Sequence, residues 1–219
     1  MFIQGIRGIG ADPDRLRESI QLWGHDIGPG AVGWLGSTGG ITKDGTFVAL
    51  MRFDAKQSML RNRARSVQHN WFVRNLSALF PQEVEFDDSV EVWTTWGGGS
   101  DDAGFVRVVR GRVDDEQRLR DLDGELAALA DGTRPGGVIG GVVALHGGGE
   151  FTRATYFASA RAAGEDHGGA AYRRITAAQA ALSVRSTTFD LHRPWFQSPG
   201  GVERGELVVR ADLSESSAS

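Results

Sequence analysis

The residues with the most scope for chemistry are two carboxamides inside an apolar helical stripe. A helical pattern covers residues 55–80, and Gln68 and Asn75 fall within its apolar face, on either side of Trp71. A buried amide costs about 2–7 kcal/mol unless it is hydrogen bonded. Such an amide can orient a phenol-like or quinone-like oxygen and stabilise a developing anion. The apolar members of the stripe are Leu60, Ala64, Val67, Trp71, Phe72, Leu76 and Leu79.

The other residue types that often do chemistry form no recognisable motif. The five histidines lack the His-x-His or His-Glu-x-x-His spacing of metal sites, and the absence of cysteine excludes thiolate catalysis. The glycine run that starts at Gly5 has the wrong spacing for a dinucleotide fingerprint, and residues 99–104 lack the Lys-Ser/Thr of a phosphate loop. We therefore expect no metal and no cofactor.

Composition excludes several further classes. The chain has 219 residues, 40% of them apolar, which suffices for one large domain or two fused small ones. Its net charge of −4 differs from the basic balance of nucleic-acid-binding proteins. No apolar run approaches the roughly 18 residues of a transmembrane helix, and the N-terminus lacks the pattern of a signal peptide. We expect a cytoplasmic protein that binds neither nucleic acid nor membrane.

The chain also repeats itself. Matching residues are 103 or 104 positions apart through most of each half, and 99 apart at the last pair. An internal repeat indicates that each half is one supersecondary unit and that the two halves bury a face together. The matches are Phe2–Gly8 with Phe105–Gly111, Arg15–Arg17 with Arg118–Arg120, Phe53 with Phe157, and Trp96 with Trp195.

Hydrophobic periodicity predicts the order β-α-β-β-α-β in each half. In the first half we expect strands at 2–8, 32–38, 46–53 and 90–96, with helices after Asp12-Pro13 and over 55–80. In the second half we expect strands at 105–111, 138–145, 150–158 and 187–195, with helices over 115–130 and 159–183. The drop from 104 to 99 predicts that the loop 81–89 is five residues longer than its counterpart 185–188.

One such unit leaves one sheet face bare, because both helices cover the other face. Two copies can press these faces together. The predicted fold is therefore α+β, a tandem duplication of a ferredoxin-like βαββαβ unit that forms a single-chain α+β barrel. The expected bounds are 1–98 for the first repeat, 99–104 for a glycine-rich linker, 105–211 for the second repeat with an extra strand at 206–211, and 212–219 for a disordered tail.

The duplication extends the amide pattern to the second half. With the second helices aligned at 104 residues, Asn75 matches Gln179 and Gln68 matches Tyr172. Polar groups would then face the space between helix and sheet in both halves. We predict that Gln68, Trp71, Asn75, Tyr172 and Gln179 bind a small molecule. The alternative is that the amides bond to backbone or sheet side chains and only specify packing.

Two ferredoxin-like halves joined at Gly97–Phe105 resemble a fused form of the dimeric α+β barrel superfamily, which includes the antibiotic-biosynthesis-monooxygenase domains. The resemblance implies ligands between helix and sheet, but members include oxygenases, isomerases and stress proteins, so it leaves function broad. We expect a cofactor-independent monooxygenase-like or isomerase-like protein with a small aromatic ligand. The rival expectation is a non-catalytic binding or stress-associated protein. Either is compatible with a homodimer.

The same resemblance leaves haem binding or degradation as a minor alternative. Haem-degrading members use a helix histidine with a tryptophan and an asparagine nearby, and His69, Trp71 and Asn75 supply those residue types. Against this, His69 is predicted to point about 120° from the centre of the apolar stripe. A second candidate, His167, lies in a glycine-rich break, and Phe53 stands near the place where a strand tryptophan would be expected.

Overall fold

The computed structural model describes residues 1–10, 12–129, 136–164 and 169–199. These residues form two five-stranded antiparallel sheets with helices packed against them. The first half contains β1 (Phe2–Ile9), α1 (Pro13–Leu22), β2 (Trp34–Ile41), β3 (Thr46–Phe53), α2 (Lys56–Arg63), α3 (Ser66–Trp71), β4 (Glu85–Asp88) and β5 (Glu91–Thr95). The second half contains β6 (Phe105–Val113), α4 (Glu116–Ala128), β7 (Val138–Gly147), β8 (Glu150–Phe157), α5 (Ala160–Gly164), α6 (Ala170–Leu182), β9 (Ser183–Leu191) and β10 (Trp195–Gln197).

The two halves exchange strands. The sheet orders are β10-β2-β3-β1-β4 and β5-β7-β8-β6-β9. The last strand of each half is split: β4 and β9 pair within their own half, whereas β5 and β10 cross to the other sheet and pair with β7 and β2. Each sheet therefore takes one edge strand from the other half. This arrangement confirms the predicted duplicated ferredoxin-like unit and the single-chain α+β barrel.

Alternation along the strands separates two layers of core. Side chains such as Ile3 and Leu50 face the second sheet, where they pack with Val108 and Phe189 in one buried cluster. Their strand neighbours face the helices of the first half instead. This helix-facing cluster includes Phe2, Ile6, Phe47, Phe53, Leu16 and Trp71. The space between the first sheet and α1–α3 is therefore separate from the barrel interior.

The predicted helix over 55–80 is broken. Between α2 and α3, Arg65 adopts an extended conformation, with φ −69° and ψ 127°. Its guanidinium donates to the Ile27 carbonyl at 3.2 Å and to Asn62 Oδ1 at 2.9 Å. These two hydrogen bonds stabilise the extended conformation between the helices. After α3 the chain continues through a π-helical turn over Phe72–Leu76 and a 3-10 turn over Ser77–Leu79.

The predicted loop 81–89 contains a strand. β4 pairs with β1 and places Asp88 opposite Gln4, whereas the equivalent pairing of β9 with β6 places Asp190 opposite Arg107. Asp88 and Asp190 are thus structural counterparts, 102 residues apart. The expectation of a five-residue difference at this loop is wrong, because the offset falls by only two residues, from 104 to 102. Because β4 is mostly charged, it shows no alternation of apolar residues, and hydrophobic periodicity did not predict it as a strand.

Strand register also corrects the tryptophan match. Trp93 lies opposite Val143 on β7, and Trp195 lies opposite Gly39 on β2. Gly39 and Val143 occupy matching positions, since they are 104 residues apart and pair with Ala49 and Arg153, which are also 104 apart. Trp195 is therefore the counterpart of Trp93, and the predicted match with Trp96 is wrong.

Some sequence predictions fall outside the described residues: the extra strand at 206–211, the tail 212–219 and His167. The bounds of the two repeats and of the 99–104 linker stay predictions. Across the part of the chain that the structure describes, no helix is long and apolar enough to cross a membrane.

The stability of the fold should depend on the protonation of His146 on β7. Its Nε2 lies 2.9 Å from Thr152 Oγ1, and its Nδ1 is buried. Burial, helped by the nearby charge of Arg110, lowers the pKa of His146 from its usual 6.5, against the opposing influence of Asp87, the Asp88 backbone and Glu150. The unfolded chain therefore takes up a proton first as the pH falls below 6.5, and the folded state loses stability from there down to the lowered pKa.

We expect thermal melts to show a falling Tm between about pH 7 and pH 5.5, with part of that slope lost in His146→Gln. His25→Gln serves as the control, since His25 is exposed and its nearby charged group is its neighbour Asp26. An identical slope in His146→Gln and the parent protein would contradict this prediction.

Candidate ligand cavity

A cavity of about 330 Å³ lies between the first sheet and the helices of the first half. Small-molecule sites start at about 300 Å³, and a cavity of about 150 Å³ holds benzene. The volume therefore suits a planar molecule of two or three fused rings. Its walls are predominantly apolar and include Ile6, Ile20, Trp23, Phe47, Ala49, Met51, Phe53, Met59, Trp71, Phe72, Leu76 and Trp195.

Alternation in β3 shapes the floor of the cavity. Phe47, Ala49, Met51 and Phe53 all line it, as expected for residues spaced by two along one strand. Ala49 leaves room between its larger neighbours because its side chain is a single methyl group. At one edge, β10 contributes Trp195 and Gln197 from the far end of the chain.

Several polar groups in the walls already have protein partners. Gln68 Oε1 accepts a hydrogen bond from Trp23 Nε1 at 2.7 Å, and Gln4 Nε2 donates to Asp88 Oδ1 at 2.9 Å. Two wall residues differ. The indole Nε1 atoms of Trp71 and Trp195 are buried and have no hydrogen-bond partner in the described part of the chain. Both side chains are enclosed, with residue exposures of 8% and 7%.

The mouth of the cavity lies between the α2–α3 region and β4. The exposed wall residues cluster there: Arg63, His69, Val73 and Phe86. The ring of Phe86 also contacts that of Phe72, with centroids 5.5 Å apart.

The cavity includes two of the five predicted ligand residues. Gln68 and Trp71 line it, as their place on the apolar stripe predicts. Asn75 is half-buried but is not a wall residue, and its Nδ2 donates to the Trp71 carbonyl at 3.3 Å. Ligand binding by all five stays a prediction, and the geometry favours Gln68 and Trp71.

The other two predicted residues lie in the second half, where the equivalent layer holds a charged network. Asp123 Oδ1 accepts from Arg153 Nη2 and from Gln179 Nε2, both at 2.7 Å, and its Oδ2 accepts from Trp93 Nε1 at 3.0 Å. Arg153 Nη1 also donates to Gln179 Oε1 at 3.1 Å. Gln179 is therefore held by protein partners. Tyr172 packs against Trp96, with ring centroids 6.5 Å apart.

Comparing the repeats position by position explains this difference. Ile20 is the counterpart of Asp123, at 103 residues, and Ala49 is the counterpart of Arg153, at 104. The first half thus has two apolar wall residues where the second half has a buried ion pair. Sequence reasoning missed Ile20, Ala49 and Trp195, although the unequal residue types at matched positions were a usable signal.

The predicted match of Asn75 with Gln179 is not the one that burial supports. In the second half, Ile175 and Gln179 are the buried residues of α6, four positions apart. In the first half, Trp71 and Leu76 are buried, five positions apart, because the π-helical turn holds one extra residue. Gln179 therefore corresponds to Leu76, another wall residue.

The residues present do not fit an enclosed haem. His69 borders the cavity, but it is exposed at the mouth, where water reaches it. A volume suited to two or three rings is too small for a tetrapyrrole. In the described residues, no cluster of His, Asp or Glu could hold a metal ion.

Comparison with solved structures finds the same fold in other proteins. A candidate monooxygenase from Lactobacillus acidophilus superposes with a TM-score of 0.67 at 16% identity, covering 92% of this chain and 98% of that one. A candidate monooxygenase from Fusobacterium nucleatum gives 0.69 at 8% identity, covering 94% and 98%. An anthrone oxidase-like protein gives 0.65 at 14% identity, covering 92% and 94%.

No family model and no curated protein sequence matches the chain. At these low identities the structural likeness establishes the fold alone. The near-complete coverage of single chains shows that both halves take part in it. The chain therefore has the α+β barrel fold of these monooxygenase-like proteins, with its two ferredoxin-like halves fused.

Proposed function

We propose that the protein binds a small planar aromatic molecule in the cavity of its first half and acts on it as a cofactor-independent monooxygenase-like or isomerase-like enzyme. The observation that carries the proposal is the apolar cavity of about 330 Å³, whose walls include three tryptophans and the amide of Gln68. Apolar walls with a few polar groups are typical of small-molecule sites.

Catalysis would consist of stabilising an oxygen anion in a dry cavity. An aromatic ketone with an adjacent acidic C–H forms an enolate when it passes that proton to water at the cavity mouth, and hydrogen-bond donors near the oxygen favour the anion. Oxidation of such a CH₂ group to a ketone consumes one O₂ and releases one water, so it needs no further reductant. The names of the monooxygenase and anthrone oxidase-like neighbours support this class of reaction.

The rival proposal is a binding protein without turnover, and one observation favours it. The titratable residues among the described walls are Arg63 and His69, and both are exposed at the mouth. A deep general base is therefore absent from the described walls. Binding without chemistry needs no such group, so both proposals share the cavity and differ in turnover.

Filling the cavity tests the ligand binding that both proposals share. Ala49→Leu adds apolar volume to the floor, so we expect the affinity for 1-naphthol and anthrone to fall at least about tenfold, with stability unchanged or raised by up to about 1 kcal/mol. Quenching of tryptophan fluorescence measures binding directly, since Trp23, Trp71 and Trp195 line the cavity.

Ala128→Leu, on an exposed position of α4, adds the same volume outside the cavity and should bind like the parent. Equal affinity in Ala49→Leu and the parent would contradict the proposed site. An oxygen electrode separates the two functions. Oxygen uptake with anthrone above the uncatalysed rate, lost in Ala49→Leu, supports the enzyme; binding without uptake supports the binding protein.

A further inference from the structure

We propose that the mouth of the cavity binds a carboxylate, so that the preferred ligand is a planar aromatic acid in its ionised form. The ring system would lie among the apolar walls, and the carboxylate would accept hydrogen bonds from Asn62 and Arg63, at the end of α2. This inference rests on the proposed function, because it uses the same cavity. It adds a chemical class to the ligand and a role to two wall residues.

The part of the chain that borders the mouth is basic. Positions 55–82 contain no Asp or Glu, although the whole chain has a net charge of −4. A concentration of one sign of charge beside a cavity attracts ligands of the opposite charge. The lysine and arginine residues of this stretch are Lys56, Arg61, Arg63, Arg65 and Arg74.

Arg63 is the arginine of this stretch that lines the cavity. It is exposed, and its guanidinium has no hydrogen-bond or ion-pair partner among the described residues. The neighbouring Arg65, by contrast, donates to the Ile27 carbonyl and to Asn62. A guanidinium donates through a planar fork that matches the two oxygens of a carboxylate. Arg63 is therefore available to an anionic group at the mouth.

Asn62 adds a buried donor next to Arg63. It lines the cavity and is only 6% exposed. Its Oδ1 accepts from Arg65 Nη1 at 2.9 Å, and because a guanidinium can only donate, Nδ2 is the free end of the amide. Nδ2 has no partner in the described residues but, unlike the indole Nε1 of Trp71 and Trp195, it is accessible to a water molecule. A ligand oxygen can therefore reach this donor.

The helix α3 presents donors as well. Gln68 Oε1 accepts from Trp23 Nε1, which can only donate, so Nε2 is the free end of the Gln68 amide. His69 is exposed at the mouth, and its ring donates at least one N–H in either tautomer. The polar groups that α2 and α3 leave free at the cavity wall are thus predominantly donors. An ionised carboxylate, which only accepts, complements them.

The acidic residues on the opposite side of the mouth already have partners. On β4, Glu85 and Asp87 both pair with Arg110. Asp88 accepts a hydrogen bond from Gln4 at 2.9 Å. Among the described wall residues there is no Asp or Glu that would repel an anionic ligand. The balance of charge at the mouth therefore favours an anion.

The test compares 2-naphthoate with 2-naphthamide, which share a ring system and a shape but differ in charge. Arg63→Gln removes the positive charge of an exposed side chain, so the fold should persist, as thermal melts will verify. We expect naphthoate affinity to fall about three- to tenfold, while naphthamide affinity stays nearly the same. Arg63→Glu should weaken naphthoate binding further. Quenching of tryptophan fluorescence measures both affinities.

Arg61→Gln is the matched control. Arg61 lies on the same helix and is exposed, but it does not line the cavity. This variant loses the same charge from the same stretch and should keep the naphthoate-to-naphthamide affinity ratio of the parent. Asn62→Asp tests the second donor. It keeps an acceptor for Arg65 and replaces the free N–H₂ by a carboxylate oxygen, so it should weaken naphthoate binding more than naphthamide binding.

The outcomes separate this inference from the proposed function. Selective loss of naphthoate binding in Arg63→Gln, with the ratio retained in Arg61→Gln, supports the inference. An equal change in both affinities, or the same loss of naphthoate binding in both variants, overturns it. If the parent protein binds naphthamide and not naphthoate, the inference fails and the proposed function stands. If the parent protein binds neither ligand, the proposed function fails as well.

Discussion

Asp123→Ala is expected to lower the free energy of unfolding by about 3–5 kcal/mol. Asp123 is 1% exposed and accepts hydrogen bonds from Arg153, Gln179 and Trp93. Its removal leaves the Arg153 guanidinium, itself largely buried, without its counter-charge. Urea denaturation of the parent and the variant measures the loss.

A double-mutant cycle and a surface control test this explanation. The loss in Asp123→Ala/Arg153→Ala should be smaller than the sum of the two single losses by about 1–3 kcal/mol, because the second removal no longer strands a charge. Glu125→Ala on the same helix breaks an exposed pair with Arg118 and should cost less than about 1 kcal/mol. Strict additivity in the cycle would contradict a coupled network.

Gly140→Ala is expected to destabilise the protein by about 3 kcal/mol or more, through overlap that a side-chain rotation cannot relieve. A Cβ at this position of β7 would overlap the carbonyl oxygen of Gly98, a backbone atom, where the chain leaves the crossing strand β5. The matching Gly36 on β2 faces the Gln197 carbonyl of β10 in the same way. The exchanged strands pass so close to β2 and β7 that each of these two strands requires a glycine at the crossing.

Gly124→Ala is the control for that change. Gly124 lies within α4, and a Cβ there would meet no atom within 4 Å. Because glycine is unfavourable inside a helix, this variant should be more stable by about 0.5–1 kcal/mol. Urea titrations of both variants under the same conditions give the comparison. A Gly140→Ala protein as stable as the parent would show that the strand exchange tolerates a wider crossing.

The two halves share a fold and differ in what fills the layer between helix and sheet. In the first half, Ile20 and Ala49 leave an apolar cavity beside a tryptophan whose N–H has no partner in the part of the chain that the structure describes. In the second half, Asp123 and Arg153 occupy the matching positions, and the tryptophan is paired. The duplication thus provided two equivalent layers between helix and sheet. The residue types at these two pairs of matched positions make the second layer polar and leave the first one apolar.

The amino-acid sequence by itself determined most of the element order, the duplication and the fold class. These depend on local periodicity and on matches such as Arg15–Arg17 with Arg118–Arg120. Both can be recognised without knowledge of contacts. The apolar stripe of the second helix likewise identified Gln68 and Trp71, because residues spaced along one helix face meet the same layer.

Only the tertiary structure decided the strand exchange, the register and the composition of the cavity. β4 is too short and charged to show strand periodicity, and it forms because β1 offers it backbone partners. The break at Arg65 depends on the Ile27 carbonyl, 38 positions away. Trp195 joins the cavity because β10 pairs with β2 of the other half. Contacts between residues far apart in the chain leave no local pattern, so the place of Trp195 in the cavity wall became visible only in the folded chain.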